Sequence, residues 1–271
     1  MENGIHFISG LPRSGSTLLA AILRQNPGFH ARMSGPVGAI YLAMLGALSN
    51  ANEFALFLDS DQKEAHLRSV FEVHYKDIGK EKLIFDTNRV WTSKLPALTK
   101  LFPDAYTFCC VRNVAWIMDS MERLVRKNAF DLSRIYNFEK TNTVYSRVEG
   151  LAGANGMVGF AYNALKEAYF GEQTNKLVLI RYETLAKDPA GTVKKIYDLV
   201  GQKPFNHDFD NIEYSEPVYD AWLGTPGLHS VKPKVKPEER ETVLPPDLFN
   251  RFQNQSFWNE PKANVRNVTV W

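Results

Sequence analysis

Four short apolar runs recur along the chain: "IHFISG" (5–10), "KLIFD" (82–86), "AYTFCCVR" (105–112) and "KLVLIRY" (176–182). Each is followed by a helix-like stretch, from Thr17 to Arg24, Thr92 to Leu101, Val114 to Lys127 and Pro189 to Val200. Apolar runs of strand length alternating with helical periodicity predict an α/β fold, a mostly parallel sheet flanked by helices. Ligands of such sheets lie beyond the carboxyl ends of the strands, and that rule gathers Arg13, Asp86, Arg112 and Tyr182 on one edge. The segment from Gly35 to Gly79, with "AIYLAMLGAL" and "AHLRSVFEVHY", reads as two or three helices and is expected to form a helical cap over that edge. From Asn128 to Gly156 the chain is polar and irregular, which predicts a mobile loop. Beyond Gln202 it is rich in Pro, Gly and charge without a clear period, so a C-terminal lid is expected rather than a second domain. Residues 1–271 are read as one domain.

Composition narrows this picture. At 271 residues with 44% hydrophobic and 23% charged, the chain can bury a full core. A net charge of +2 without a long basic run predicts no nucleic-acid partner, so any anionic ligand must be met locally. The start "MENGIHFISG" leaves no room for a signal peptide, and no apolar run approaches the roughly twenty residues of a membrane span. The cysteines Cys109 and Cys110 are adjacent in an apolar run and read as buried thiols of a reducing compartment, so a cytoplasmic protein without membrane attachment is expected. The sequence has no His, Cys and carboxylate cluster with metal-ligand spacing, and no metal is expected. The oligomeric state is not legible.

The stretch "FISGLPRSGSTLLAAILRQNP" (7–27) carries the first chemistry. A strand entering a glycine-bearing turn and then a helix aims backbone N–H groups and the positive helix end at one spot, a natural anion site. Gly15 permits close backbone approach, Ser14, Ser16 and Thr17 offer hydroxyl donors, and Arg13 adds a forked charge. An ordinary strand-to-helix turn with a serine cap is the alternative. The spacing nearly fits G-x-x-x-x-G-K-[ST], but Ser16 stands where that loop needs its lysine, which argues against nucleoside triphosphate hydrolysis.

"PRSGST" resembles the 5′-phosphosulfate loop of sulfotransferases that use 3′-phosphoadenosine 5′-phosphosulfate (PAPS), in particular the cytosolic, bacterial small-molecule type. Two further segments resemble the family in its own order. "CVRNVAWIMDS" is similar to the 3′-phosphate motif, with Arg112 at a strand end and Ser120 eight residues on, and "RYETLAKDP" is similar to the Y-E-x-L-x-x-D-P segment, whose tyrosine, here Tyr182, lies near the adenine. The resemblance implies a P-loop-like parallel sheet and sulfuryl transfer from PAPS to a hydroxyl or amine of a small acceptor, a natural product or other metabolite, with release of PAP and no metal. Ser230 and Lys232 in "GLHSVKPKV" stand where relatives close a basic loop over the cofactor. "KTNTVYSRVE" (140–149) resembles the family's dimer segment with the wrong spacing, and no oligomeric state is inferred from it.

The chain departs from the family where a general base is needed. Relatives carry Lys-Thr-His after the second strand, whereas Asp86, Thr87 and Asn88 occupy those places here, and asparagine is no base. Others carry a glutamate after the loop helix, but residues 31–40 contain no carboxylate. Asp86 is the leading base by position, its structural alternative being to pair with Arg89 or to cap the next turn; His66, His74 and Glu53 of the cap are the other candidates. Arg13 is expected to be catalytic with it. An ATP-dependent P-loop phosphotransferase and a PAP-binding module without catalysis are the competing readings.

Overall fold

A computed structural model of the chain describes residues 4–136 and 142–271. The strands are β1 (Ile5–Gly10), β2 (Phe29–Ala31), β3 (Leu83–Thr87), β4 (Thr107–Val111), β5 (Leu177–Arg181) and β6 (Thr269–Val270). They form one sheet in the order β2-β3-β1-β4-β5-β6, all pairs parallel. β1, β3, β4 and β5 are the four apolar runs. With both faces covered, they read as continuous apolar stretches rather than alternating ones. β2 and β6, three and two residues long, carried no legible signal.

Between the strands run α1 (Ser16–Leu23), α2 (Val37–Ala47), α3 (Ser60–His74), α4 (Val90–Ser93), α5 (Leu95–Leu101), α6 (Val114–Lys127), α7 (Val144–Ala152), α8 (Met157–Phe170), α9 (Tyr182–Lys187), α10 (Pro189–Leu199), α11 (Pro217–Trp222) and α12 (Pro246–Phe252). One face of the sheet buries Ile8, Phe85, Phe108 and Ile180 against Leu19 and Ile22 of α1 and Ile196 of α10. The other face is covered in two parts: Phe7 and Ile84 meet Tyr41, Phe71 and Trp91, while Cys109 and Leu179 meet Ile117, Leu165 and Phe252. Burial pushes both cysteine thiols well up, as expected of inert core residues.

Three expectations about organisation change. The α2–α3 segment is helical, but its apolar side packs on the sheet face through Tyr41 and Phe71, so it is a buttress of that face more than a cover over the edge. The segment from 128 to 156 is irregular only in part: its described residues 128–133 are turn and coil, whereas 144–152 form α7, whose start is set by a capping box between Thr143 and Ser146. The dimer-like segment 140–149 begins outside the described residues, and its remainder is the start of α7. The C-terminal region divides: residues 228–240 line the cavity described below, while α12 packs on α6 and β6 extends the sheet beside β5.

Connections leaving β1 and β3 run to opposite sides of the sheet, β1 toward β2 and β3 toward β4. This is the switch point at which parallel sheets open a crevice beyond their carboxyl ends.

Candidate active site

That crevice is a cavity of about 650 Å³. Four strand ends feed it: the β1–α1 loop (11–15), Thr87 to Arg89 after β3, Arg112 after β4 and Tyr182 after β5. Its outer wall is the chain from Leu228 to Arg240.

The β1–α1 loop turns on backbone that few residues adopt. Arg13 has φ 56°, and Gly15 has φ 100° at the N-cap of α1. A Cβ on Gly15 would stand 3.1 Å from Cδ2 of Tyr182, so glycine is needed both for the conformation and for the approach of that ring. No side chain caps α1, which leaves the first-turn N–H groups directed at the cavity. Ser16 and Thr17 line it. Ser14 does not: its hydroxyl is fully buried and donates to the carbonyls of Leu11 and, at 2.7 Å, Cys110, pinning the loop to β4. The side chain expected to contact an anion therefore holds the loop instead.

Four of the anticipated groups converge. Nε of Arg13 donates to Oγ of Ser120 at 3.1 Å, and its Nη1 donates to the carbonyl of Leu228. Arg112 lies over the Tyr182 ring at 4.2 Å and donates to the Arg13 carbonyl at 3.4 Å. Burial, followed by the like charge of Arg112, pulls the Arg13 guanidinium down to about 10, and burial lowers Arg112 as well. Both remain cations at neutral pH. Two like charges crowded in a buried site favour an anion between them. Three polar atoms around the cavity are buried without a hydrogen-bond partner: Nε of Arg112, Nε of Arg240 and Oγ1 of Thr87. Buried polar groups are normally satisfied, so these mark where a ligand's acceptors would fit.

The flanking tail is bound to the same place. Arg240 lines the cavity, lies over the Trp116 ring and pairs with the fully buried Asp119 at 2.7 Å. Ser230 and Lys232 line the cavity too, with Lys232 paired to Glu238 at 2.8 Å on an exposed stretch.

Asp86 is placed differently from the sequence expectation. It is 2% exposed and does not line the cavity; its carboxylate accepts from the Tyr75 hydroxyl and Trp91 Nε1, both at 2.6 Å, inside the packed face. Burial raises its pKa while the two donors oppose the rise. It does not pair with Arg89, which is exposed and is among the residues lining the cavity. His66, His74 and Glu53 are exposed on the buttress helices and also lie off the cavity. Asn88 accepts the Val90 N–H at 3.1 Å and so caps the turn into α4.

A histidine that the sequence reading passed over does line the cavity. Nδ1 of His229 lies 2.6 Å from Oδ1 of Asp220, and the His229 backbone N–H donates to Oδ2 at 2.9 Å. Asp220 is 1% exposed. A carboxylate only accepts, so Nδ1 carries the proton and Nε2 keeps its lone pair. Burial lowers the His229 pKa, the bond to Asp220 raises it, and the charges of Arg13 and Arg89 lower it again. A neutral imidazole close to Arg13 and oriented by a buried carboxylate can take a proton. His229 stands inside the quoted "GLHSVKPKV", but nothing in the nine-residue gap to Asp220 announces the pair.

Fold and site together define an α/β protein whose strand-end cavity gathers two arginines, a glycine-bearing loop and a histidine oriented by a buried carboxylate. The model of the Sulfotransferase family matches residues 6–206, and the chain belongs to that family. Its chemistry is therefore sulfuryl transfer. The solved structures it resembles include the sulfotransferase domain from the curacin biosynthetic pathway, 14% identical over 93% of this chain and 91% of that one, with a TM-score of 0.52. The sulfotransferase domain of the Synechococcus PCC 7002 olefin synthase is 18% identical over 93% and 87%, with a TM-score of 0.48. Sulfotransferase STF9 from Mycobacterium avium is 14% identical over 73% and 64%, with a TM-score of 0.44. At such identities the likeness concerns the fold, and the first of the three carries it. No curated protein sequence matches the chain. Among the described residues no group of His, Cys, Asp or Glu is arranged to hold a metal ion, and no helix is long and apolar enough to cross a membrane.

Proposed function

We propose that the protein transfers a sulfuryl group from PAPS to a hydroxyl or amine of a small acceptor. The observation that carries this reading is the convergence of Arg13, Ser120 and Arg112 on one side of the cavity with the His229–Asp220 pair beside them. The residues present fit the donor. The glycine-bearing loop and the bare start of α1 suit a 5′-phosphosulfate, since a Cβ at Gly15 would close the approach. The unpartnered Nε atoms of Arg112 and Arg240 and the Ser120 hydroxyl suit a 3′-phosphate, and the face of Tyr182 suits the base. PAPS supplies the sulfuryl group: its bond from sulfur to the 5′-phosphate oxygen breaks as a bond from sulfur to the acceptor forms, leaving PAP.

The chain's own residues do the rest. Arg13 and the loop amides stabilise charge growing on the 5′-phosphate, and that electrostatic help is largest where water is excluded. His229 takes the acceptor proton on Nε2, and Asp220 holds the ring in the tautomer that leaves Nε2 free and then stabilises the imidazolium. Ser14 and the Arg13 backbone keep the loop in register with β4. The missing loop lysine at Ser16 weighs against an ATP-dependent phosphotransferase.

The test is turnover of ³⁵S-labelled PAPS with a panel of phenols, alcohols and amines, run beside His229→Ala. Label transfer in wild type that falls about a hundredfold or more in the variant supports the reading, because a general base contributes about 10²- to 10⁴-fold. Binding of PAP without transfer to any acceptor favours a module without catalysis.

A further inference from the structure

Two buried carboxylates on α6 serve different parts of the molecule. Glu122, 3% exposed, binds Arg126 at 3.0 Å and Arg147 at 2.7 Å and so joins α6 to α7. Asp119 is fully buried, immediately precedes Ser120, and faces the tail instead.

The two oxygens of Asp119 divide the tail between them. Oδ1 accepts the Val243 N–H at 2.8 Å and the Thr242 hydroxyl at 3.2 Å, which fixes the backbone there. Oδ2 answers two cations, Nε of Arg123 at 3.0 Å and Nη2 of Arg240 at 2.7 Å. Trp116, three residues before Asp119 and on the same side of the helix, lies under the Arg240 guanidinium at 5.6 Å. Held from both sides, the Arg240 side chain is only 20% exposed, and its Nε is buried without a partner. Arg240 shares the cavity with Arg13 and Arg112, whereas Asp119 does not line it. Three cations converging on one cavity repel one another, and a long flexible side chain turns to water unless something holds it. The Oδ2 atom of Asp119 supplies that hold.

We infer that Asp119 is a positioning residue for the nucleotide: without touching the ligand, it keeps Arg240 where a 3′-phosphate is met, so that preference for a 3′-phosphorylated nucleotide depends on it. This rests on the PAPS reading above and adds the residue that prepares one of its contacts. Asparagine separates the two duties of the carboxylate. Its oxygen in the Oδ1 place keeps Val243 and Thr242, while its NH₂ faces Arg123 and Arg240, which are donors only. The tail stays clasped, since Arg126 Nη2 also donates to the Val243 carbonyl at 2.9 Å, and Arg240 alone loses its anchor at the cavity.

The experiment is calorimetric titration of PAP and of adenosine 5′-monophosphate into wild type, Asp119→Asn, Arg240→Gln, the double variant and Glu122→Gln. Asp119→Asn is expected to bind PAP about ten- to a hundredfold more weakly and the monophosphate about as wild type does. The double variant should be no weaker for PAP than Arg240→Gln alone, because both changes remove one contact. Glu122→Gln, which breaks a buried ion pair of the same helix, should lower the thermal midpoint and keep the PAP preference. A wild-type preference in Asp119→Asn, an equal fall for both nucleotides, or additive losses in the double variant overturns the inference. If Asp119→Asn does not fold, Arg240→Gln decides: a lost PAP preference supports the inference and a surviving one overturns it. Wild type that binds both nucleotides equally overturns the PAPS reading and the inference with it, whereas the other adverse outcomes, with the wild-type preference intact, overturn the inference alone.

Discussion

Replacing Asp220 by Asn removes a charge without changing size, and its effect follows from two contacts. In wild type one carboxylate oxygen meets Nδ1 of His229 at 2.6 Å and the other accepts the His229 N–H at 2.9 Å. An asparagine whose oxygen keeps the backbone N–H turns its NH₂ toward Nδ1. The ring then moves its proton to Nε2, the atom proposed to act as base. A hydrogen bond to a charged group is worth about 1.5–3 kcal/mol, so losing it where the imidazolium forms lowers the rate about ten- to a hundredfold. The pH dependence gives an independent sign. The Asp220 bond raises the His229 pKa against burial, so its loss lowers that pKa further. The acidic limb of kcat/KM, where His229 must be neutral, therefore shifts to lower pH while the plateau falls; in His229→Ala the limb disappears. The assay is initial-rate PAP release against pH with saturating PAPS. A plateau unchanged in both variants with normal PAP binding, or a limb that moves to higher pH in Asp220→Asn, refutes the reasoning.

Three further outcomes follow from single contacts. His6 is buried, accepts the Tyr106 N–H at 3.1 Å, and is driven down to about 4, first by burial and then by Lys176. The unfolded state then binds the proton first, so stability falls as pH drops through the window between the unfolded value near 6.5 and about 4, by about 2 kcal/mol at pH 5; urea melts at pH 7 and 5 should show this, with a smaller drop in His6→Gln. Gly15→Ala forces an alanine into a left-handed conformation costing about 1–2 kcal/mol and pushes on Tyr182, so its PAP affinity should fall at least tenfold, and an unchanged Kd by calorimetry would contradict the loop geometry. Asp86→Asn should lose about 1–3 kcal/mol of stability, because an NH₂ then faces Tyr75 or Trp91, while kcat stays within a few-fold of wild type; a folded but inactive variant would return Asp86 to the chemistry.

The legible parts of the molecule were those written in local sequence. The β1–α1 turn is announced by Gly10, Pro12 and Gly15, and Arg112 with Ser120 falls on a strand end and the first turns of the next helix, so spacing alone brings them toward one edge. Tyr182 is found by the same rule. The His229–Asp220 pair was not legible because the two residues meet through a tail without periodicity, and their nine-residue separation matches no helix or strand repeat. Ser14 was misread because its two backbone acceptors, Leu11 and Cys110, include one that lies 96 residues away and is brought near only by the β1–β4 pairing. Asp86 shows the limit of the strand-end rule. Successive strand residues face opposite sides, and its side chain turns into the packed face beside Tyr75 and Trp91, while Thr87 next to it lines the cavity. The short strands β2 and β6 are edge elements too brief to carry a pattern.

The most direct test of the account compares two nucleotides that differ only in the 3′-phosphate. PAP and adenosine 5′-monophosphate are titrated by calorimetry into wild type and into the Arg112→Ala, Ser120→Ala double variant. The account predicts that wild type prefers PAP by about ten- to a hundredfold or more, since each charge-assisted hydrogen bond is worth about 1.5–3 kcal/mol. The double variant should lose most of that preference and still bind the monophosphate through the β1–α1 loop. Wild-type protein that binds the two nucleotides equally would contradict the 3′-phosphate assignment, and PAPS dependence with it.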